Sequence, residues 1–310
     1  MHLQYVTFGE ALDNSIDLDI ISIFYFVVFP EALMEATNMQ LTKEQLSFFE
    51  TFGFIKFPQL LADSLDWILE EFTQTFPNQD KVTPHNGTQR TCIVPFIDQS
   101  KKLCTLLDDP RIEGIGKSLL GDDFNYMGSD GNYYTGETGW HRDGLHRDYK
   151  HLKIAFYLDA LDGNSGALRV IPGSHKIDDQ YGKDLTKISQ SKEIWGIHGV
   201  SVPAQILDVV PGDILVFNHN TLHASFNGGK NRRMFTINLC QRHREIDLPI
   251  LRNYISGHAR FWLDRNYSET MMTTASPSRM KHLEQVMEND GHLAALSAKN
   301  RLTMSEPSRG

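Results

Sequence analysis

The chain has 310 residues, enough to bury a full core as one large decorated domain or as two domains. Its 40% hydrophobic and 22% charged content is that of an ordinary globular protein, and a net charge of −9 excludes a general nucleic-acid binder while leaving room for a local basic pocket. The three cysteines, Cys92, Cys104 and Cys240, are odd in number and widely spaced. They argue against a disulfide framework or a cysteine zinc site, and for a reducing, cytoplasmic location.

In chain order, Ile20–Phe29 is the most apolar run. Its ten residues are about half of what spans a bilayer as a helix. No Lys or Arg precedes Lys43, so the basic start of a secretory signal is missing, and no membrane association is expected. The run reads as a buried or edge strand, or as part of an N-terminal extension over 1–39 outside the natural domain, with Met39 a candidate second start. The domain is expected over 40–296, followed by a polar, flexible tail over 297–310.

Thr42-Lys43-Glu44-Gln45 has the form of a capping box, and Leu46, Phe49 and Phe52 then fall at helical spacing up to Gly53. Phe54–Phe57 reads as a strand stopped by Pro58, and Leu65, Ile68, Leu69 and Phe72 mark a second amphipathic helix. The segment 77–90 reads as a loop over the site, and 100–120 as helical, ended by Gly121.

From 125 onward the pattern turns to β. Short strand-like runs at 152–158, 167–171, 206–210, 213–218 and 233–239 are separated by Gly, Asn, Asp and Pro. A polar insertion fills 176–200, and 247–287 regains helical and aromatic character. Many short strands flanked by helices predict a mainly β fold, a double-stranded β-helix or jelly roll with helices packed on one sheet. In the final strand Phe235, Ile237 and Leu239 share the face suited to packing under helices, while Arg232, Met234, Thr236 and Asn238 face the barrel interior.

The chemistry starts at Trp140-His141-Arg142-Asp143-Gly144 and at Thr221-Leu222-His223-Ala224-Ser225. Two histidines and one carboxylate can occupy one face of an octahedral metal and leave three positions open, as non-haem Fe(II) oxygenases require. His141 and Asp143 fit one strand end, because residues i and i+2 point to the same side. His223, 80 residues beyond Asp143, must return on another strand. His219 competes with it, since the two are four residues apart.

An Arg facing the barrel interior is costly without an anionic partner, and its planar fork suits a carboxylate. The dicarboxylate 2-oxoglutarate offers one, with its keto-acid end free to chelate the metal. Strand parity favours Arg232 over its neighbour Arg233, and Ser225 lies on the same strand face as His223.

Taken together, the chain resembles the phytanoyl-CoA dioxygenase family of Fe(II)/2-oxoglutarate oxygenases over roughly 40–245. The resemblance rests on the opening helix with Gly53-Phe54, the His141-Arg142-Asp143 motif, the run Asn164 to His175, Pro211-Gly212-Asp213-Ile214, and His223-Ala224-Ser225 with Arg232. It implies a double-stranded β-helix with Fe(II) held by His141, Asp143 and His223, and it selects His223 over His219. It also implies 2-oxoglutarate held by Ser225 and Arg232, with Arg90 and Tyr157 as further candidates near the cosubstrate. O2 is then the co-reactant, succinate and CO2 are released, and a small molecule is hydroxylated. A carboxylate at Asp143 argues against halogenation, because halogenating relatives carry a small residue there.

His146, His151, His198 and His243 read as surface or hydrogen-bonding groups, and His175 as a residue fixing a turn. Loops 77–95, 130–139, 144–151 and 176–200 are expected around the mouth. They carry Asn132, Tyr134, Arg147, Lys150 and Trp195, and with Arg142 and Lys153 form a partly basic set suited to an anionic substrate. Two other classes compete: a zinc hydrolase on the same ligands, and a jelly-roll binding protein without turnover. The first leaves the inward Arg232 unexplained.

Overall fold

The computed structural model describes residues 39–77 and 84–309. The run Ile20–Phe29, and with it nearly all of the expected extension, lies outside them.

The first helix, α1 (Lys43–Phe52), begins as its sequence requires. Thr42 Oγ1 accepts from the Gln45 N–H at 3.2 Å, and Gln45 Oε1 accepts from the Thr42 N–H at 2.9 Å. Two otherwise orphaned donors are thus satisfied. The helix ends at Gly53, whose φ of 81° is left-handed and whose N–H donates to Phe49 O at 2.8 Å. A Cβ at Gly53 would lie 2.4 Å from His175 Nδ1, so glycine also permits the close approach of the Pro-Gly-Ser-His turn.

Ten strands follow in the described residues: β1 (Phe54–Phe57), β2 (Thr91–Ile93), β3 (Phe124–Tyr134), β4 (Thr138–His141), β5 (His151–Tyr157), β6 (Leu168–Val170), β7 (Gln205–Leu207), β8 (Ile214–Asn218), β9 (His223–Ser225) and β10 (Arg232–Gln241). They form a six-stranded sheet, β1-β8-β5-β10-β3-β2, and a four-stranded sheet, β4-β9-β6-β7, and neighbouring strands in both run antiparallel. This is the expected double-stranded β-helix, although helices hold more of the described residues than strands do. The β scaffold carries the site, and the helices cover it.

The larger sheet separates two environments. Its outer face packs through Phe156 and Phe235, ring centroids 4.3 Å apart, onto Phe96 and then Phe72 of α2 (Leu65–Thr75). Its inner face contributes Ala155, Tyr157, Leu215, Phe217 and Met234, which pack against Leu168 and Val170 of the smaller sheet. The alternation expected for β10 is therefore present, with Phe235, Ile237 and Leu239 fully buried on the helical side.

Two expectations need correction. The insertion at 176–200 holds the short helices Gln180–Leu185 and Ser191–Trp195. The tail expected from 297 does not begin there: the helix Leu293–Thr303 runs across that boundary. It is held by buried Leu293, by an ion pair of Arg301 with Asp264 at 2.9 Å, and beyond it by Arg309 donating to Arg90 O at 2.9 Å. These anchors are long-range, which is why the polar sequence does not reveal them. No helix of the described residues is long and apolar enough to cross a membrane.

Candidate metal and cosubstrate site

β4 and β9 pair with His141 opposite His223, and their ring centroids lie 4.2 Å apart. Two residues past His141, the Asp143 N–H donates to His219 O at 3.0 Å, which turns the chain back toward the pair. The Asp143 carboxylate then stands 4.0 Å from His141 Nε2 and 3.7 Å from His223 Nε2. One ligand atom from each of the three lies within 4.8 Å of the others.

The donor set fits a divalent ion. His141 Nδ1 lies 2.8 Å from Gly139 O and His223 Nδ1 lies 2.9 Å from Thr221 O. A carbonyl only accepts, so Nδ1 carries the proton and each Nε2 keeps its lone pair toward Asp143. Burial pulls the His223 pKa down to about 4, so its ring is neutral near neutral pH. Burial pushes the Asp143 carboxyl up, but Lys153 above all, with His223 and His219, reverses this and holds it well below the usual range. Lys153 Nζ sits 2.9 Å from Asp143 Oδ2, and Asp143 and Asp130 keep it charged despite its burial.

The same cavity, of about 540 Å³, contains a second pole. Arg232, 8% exposed, donates through Nη1 to Ser225 Oγ at 2.6 Å and Gly166 O at 2.8 Å, and through Nη2 to Gly136 O at 2.6 Å. Its Nε has no partner, and among the described residues no carboxylate lies within ion-pair distance. A buried guanidinium whose partners are carbonyls and a hydroxyl lacks a counter-charge, and an incoming carboxylate supplies one. Arg233 points the other way and pairs with Asp159 Oδ1 at 2.7 Å. Ser225 donates its own proton to Gly166 O at 2.8 Å, so its oxygen holds Arg232 in place.

Tyr157 lines the cavity on the β5 side. Arg90 also lines it, 4.3 Å over the Tyr134 ring, but already has Asp130 at 3.4 Å and Asn132 at 2.8 Å.

The mouth differs from expectation. Arg147 pairs with Asp178, Lys150 pairs with Glu50, and Trp195 is 47% exposed. None of these three lines the cavity, nor does any residue of 144–151 or 176–200. The wall opposite the barrel comes instead from Tyr254, His258, Arg260, Phe261, Leu263 and Asn266. Sequence reasoning missed these because they belong to helical turns and a connecting loop after the last strand, with no motif to mark them. His151, expected as a surface or hydrogen-bonding group, is 2% exposed and stacks on His146 at 3.6 Å.

An open His-Asp-His face and an uncompensated arginine inside one double-stranded β-helix have the architecture of the 2-oxoglutarate oxygenases. The phytanoyl-CoA dioxygenase (PhyH) family model matches residues 49–234, and the chain belongs to that family. Ectoine dioxygenase of Sphingopyxis alaskensis is 28% identical over 172 residues, 46% of this chain and 55% of that protein. The chain thus matches about half the length of this curated relative. Among solved structures, EctD from S. alaskensis in its apoform superposes with a TM-score of 0.51 at 21% identity, over 65% of this chain and 77% of that one. The non-heme alpha ketoglutarate dependent epimerase SnoN from nogalamycin biosynthesis gives 0.51 at 19%, over 64% and 82%. HygX from Streptomyces hygroscopicus, with nickel, 2-oxoglutarate and hygromycin B bound, gives 0.50 at 17%, over 65% and 88%. These likenesses establish the shared fold.

Proposed function

We propose that the protein is an Fe(II)- and 2-oxoglutarate-dependent dioxygenase that hydroxylates a small organic molecule bearing an anionic group. The observation that carries this reading is the buried Arg232, without a counter-ion, in the same cavity as the His141–Asp143–His223 face. His141, Asp143 and His223 hold the iron, and the Gly139 and Thr221 carbonyls fix the tautomers that leave Nε2 free. Lys153 positions the Asp143 carboxylate. Arg232, braced by Ser225, receives the far carboxylate of 2-oxoglutarate, with Tyr157 and Arg90 along the wall. The bound iron, with 2-oxoglutarate and O2, supplies the oxidising chemistry, and the cosubstrate leaves as succinate and CO2. The carboxylate at Asp143 favours hydroxylation over halogenation.

The wall from Tyr254 to Asn266 faces the substrate. Arg260 stands exposed there, 4.7 Å from the Phe261 ring, and no carboxylate of the described residues lies within ion-pair distance. It supplies the cation for the substrate's anionic group. The test is anaerobic addition of Fe(II) and then 2-oxoglutarate, followed by succinate release in air over a panel of small acids, phosphonates and acyl-CoAs. A visible charge-transfer band with substrate-dependent succinate is expected. Folded protein that shows no band would overturn the reading.

A further inference from the structure

We propose that His146, His151 and His219 form a second divalent-cation site, separate from the His141–Asp143–His223 face, which takes a late first-row ion such as Zn2+. The three come from different elements: the loop after β4, the start of β5 and the residue after β8. One ligand nitrogen from each lies within 4.8 Å of the others. His151 and His219 are each 2% exposed.

The independent sign of a ligand is the state of their nitrogens. His146 Nε2, His151 Nδ1 and both ring nitrogens of His219 are buried without a hydrogen-bond partner. A buried polar group left without a partner destabilises the fold, and four such atoms cluster here. Three imidazoles without a carboxylate are a donor set suited to Zn2+, Ni2+ or Cu2+ rather than to Mg2+ or Ca2+.

The surroundings already hold the ligands. Asn220 accepts from the His146 N–H at 2.8 Å and donates to His146 O at 2.7 Å, and the His219 N–H donates to His151 O at 3.0 Å. Tyr254 covers the His146–His151 pair, with ring centroids at 5.3 and 4.7 Å. Gly144 leaves the space beside His146, since a Cβ there would stand 2.2 Å from His146 Nε2. Tetrahedral zinc with bonds of ~2.0–2.1 Å brings its nitrogens to roughly 3.3–3.4 Å of one another. The trio's ligand nitrogens lie within 4.8 Å of one another, and His146 and His151 stack with ring centroids 3.6 Å apart, so binding would turn the His146 ring out of the stack. The ion would clamp the Asp143-bearing loop to β5 and β8, because His219 O already accepts from the Asp143 N–H.

The test is equilibrium dialysis of the full chain against Zn2+ without 2-oxoglutarate, with folding followed by circular dichroism. The Asp143→Ala/His223→Ala variant should retain one equivalent of Zn2+, and adding His151→Ala should remove it with the spectrum unchanged. A folded Asp143→Ala/His223→Ala protein that takes up no zinc overturns the proposal, as does an equivalent that survives His151→Ala. Should that double variant not fold, wild type against His151→Gln decides: two equivalents falling to one supports the site, and a single equivalent in both overturns it. Because the readout is stoichiometry, it stands or falls apart from the oxygenase reading.

Discussion

Asp143 is held between Lys153 Nζ at 2.9 Å and His223 Nε2 at 3.7 Å. Among the described residues it brings the one carboxylate to the His141–Asp143–His223 face, so Asp143→Ala should abolish both the Fe(II)–2-oxoglutarate absorption band and succinate formation. Full turnover in that variant would show that the ligands lie elsewhere. At the other pole, neighbouring arginines give a contrast with a sign. Arg232→Ala removes a charged hydrogen-bonding partner worth about 1.5–3 kcal/mol, so the KM for 2-oxoglutarate should rise roughly 10- to 100-fold. Arg233→Ala breaks contacts with Asp159 and the Leu158 carbonyl and should leave that KM near wild type. Steady-state succinate assays on the two variants separate these outcomes, and the reverse pattern would place the anchor on the opposite face of β10.

At the scale of elements, β10 shows why part of the site was legible in advance. A strand alternates its faces, so one apolar face at Phe235, Ile237 and Leu239 assigns Arg232, Met234, Thr236 and Asn238 to the other. The end of α1 was legible for a similar reason, since a left-handed cap selects glycine locally. Gly53→Ala should cost about 2–4 kcal/mol, combining the left-handed penalty with the overlap on His175 and Thr221. Urea unfolding measures this, and an unchanged midpoint would mean that the turn at His175 yields freely.

Asp98, between its turn and the Ser268 N-cap, was not legible, because its partners lie far along the chain. Its carboxylate accepts from Tyr126 Oη at 2.8 Å and from the Ser268 N–H at 3.1 Å. Burial pushes its pKa up to about 6 from an ordinary 3.8. Below pH 4 the group is protonated whether folded or unfolded and carries no penalty. Above pH 6 it is charged in both states, and the folded state bears a desolvation cost on the order of 3 kcal/mol. Stability from this group therefore falls as pH rises from about 4 to 6. Asp98→Asn should gain on wild type by that order between pH 4 and pH 7. A constant difference in urea stability across that range would show that the Asp98 pKa is not raised.

At the scale of the whole molecule, the family match ends at residue 234, yet the cavity wall from Tyr254 to Asn266 follows it. That wall is backed by the helix Leu293–Thr303, through Ser297 to Leu263 O and Arg301 to Trp262 O. Removing 293–310 should leave the Fe(II)–2-oxoglutarate band intact, because the jelly roll carries both poles. It should also raise amide hydrogen exchange over 257–266, and unchanged exchange there would show that the wall stands without its backing helix.

The sequence by itself determined the jelly-roll scaffold, the His141-x-Asp143 motif with His223 returning far downstream, and the inward course of Arg232. Those features follow from strand alternation, capping chemistry and short motifs, all local in the chain. Only the tertiary structure decided that Lys153 rests on Asp143, that Arg147 and Lys150 are engaged elsewhere, and that three further histidines converge beside the site. It also decided that the segment from Tyr254 to Asn266 lines the cavity. Each of these depends on side chains from distant elements meeting in a buried volume, where packing and desolvation set partner and charge, and no local pattern records such a meeting.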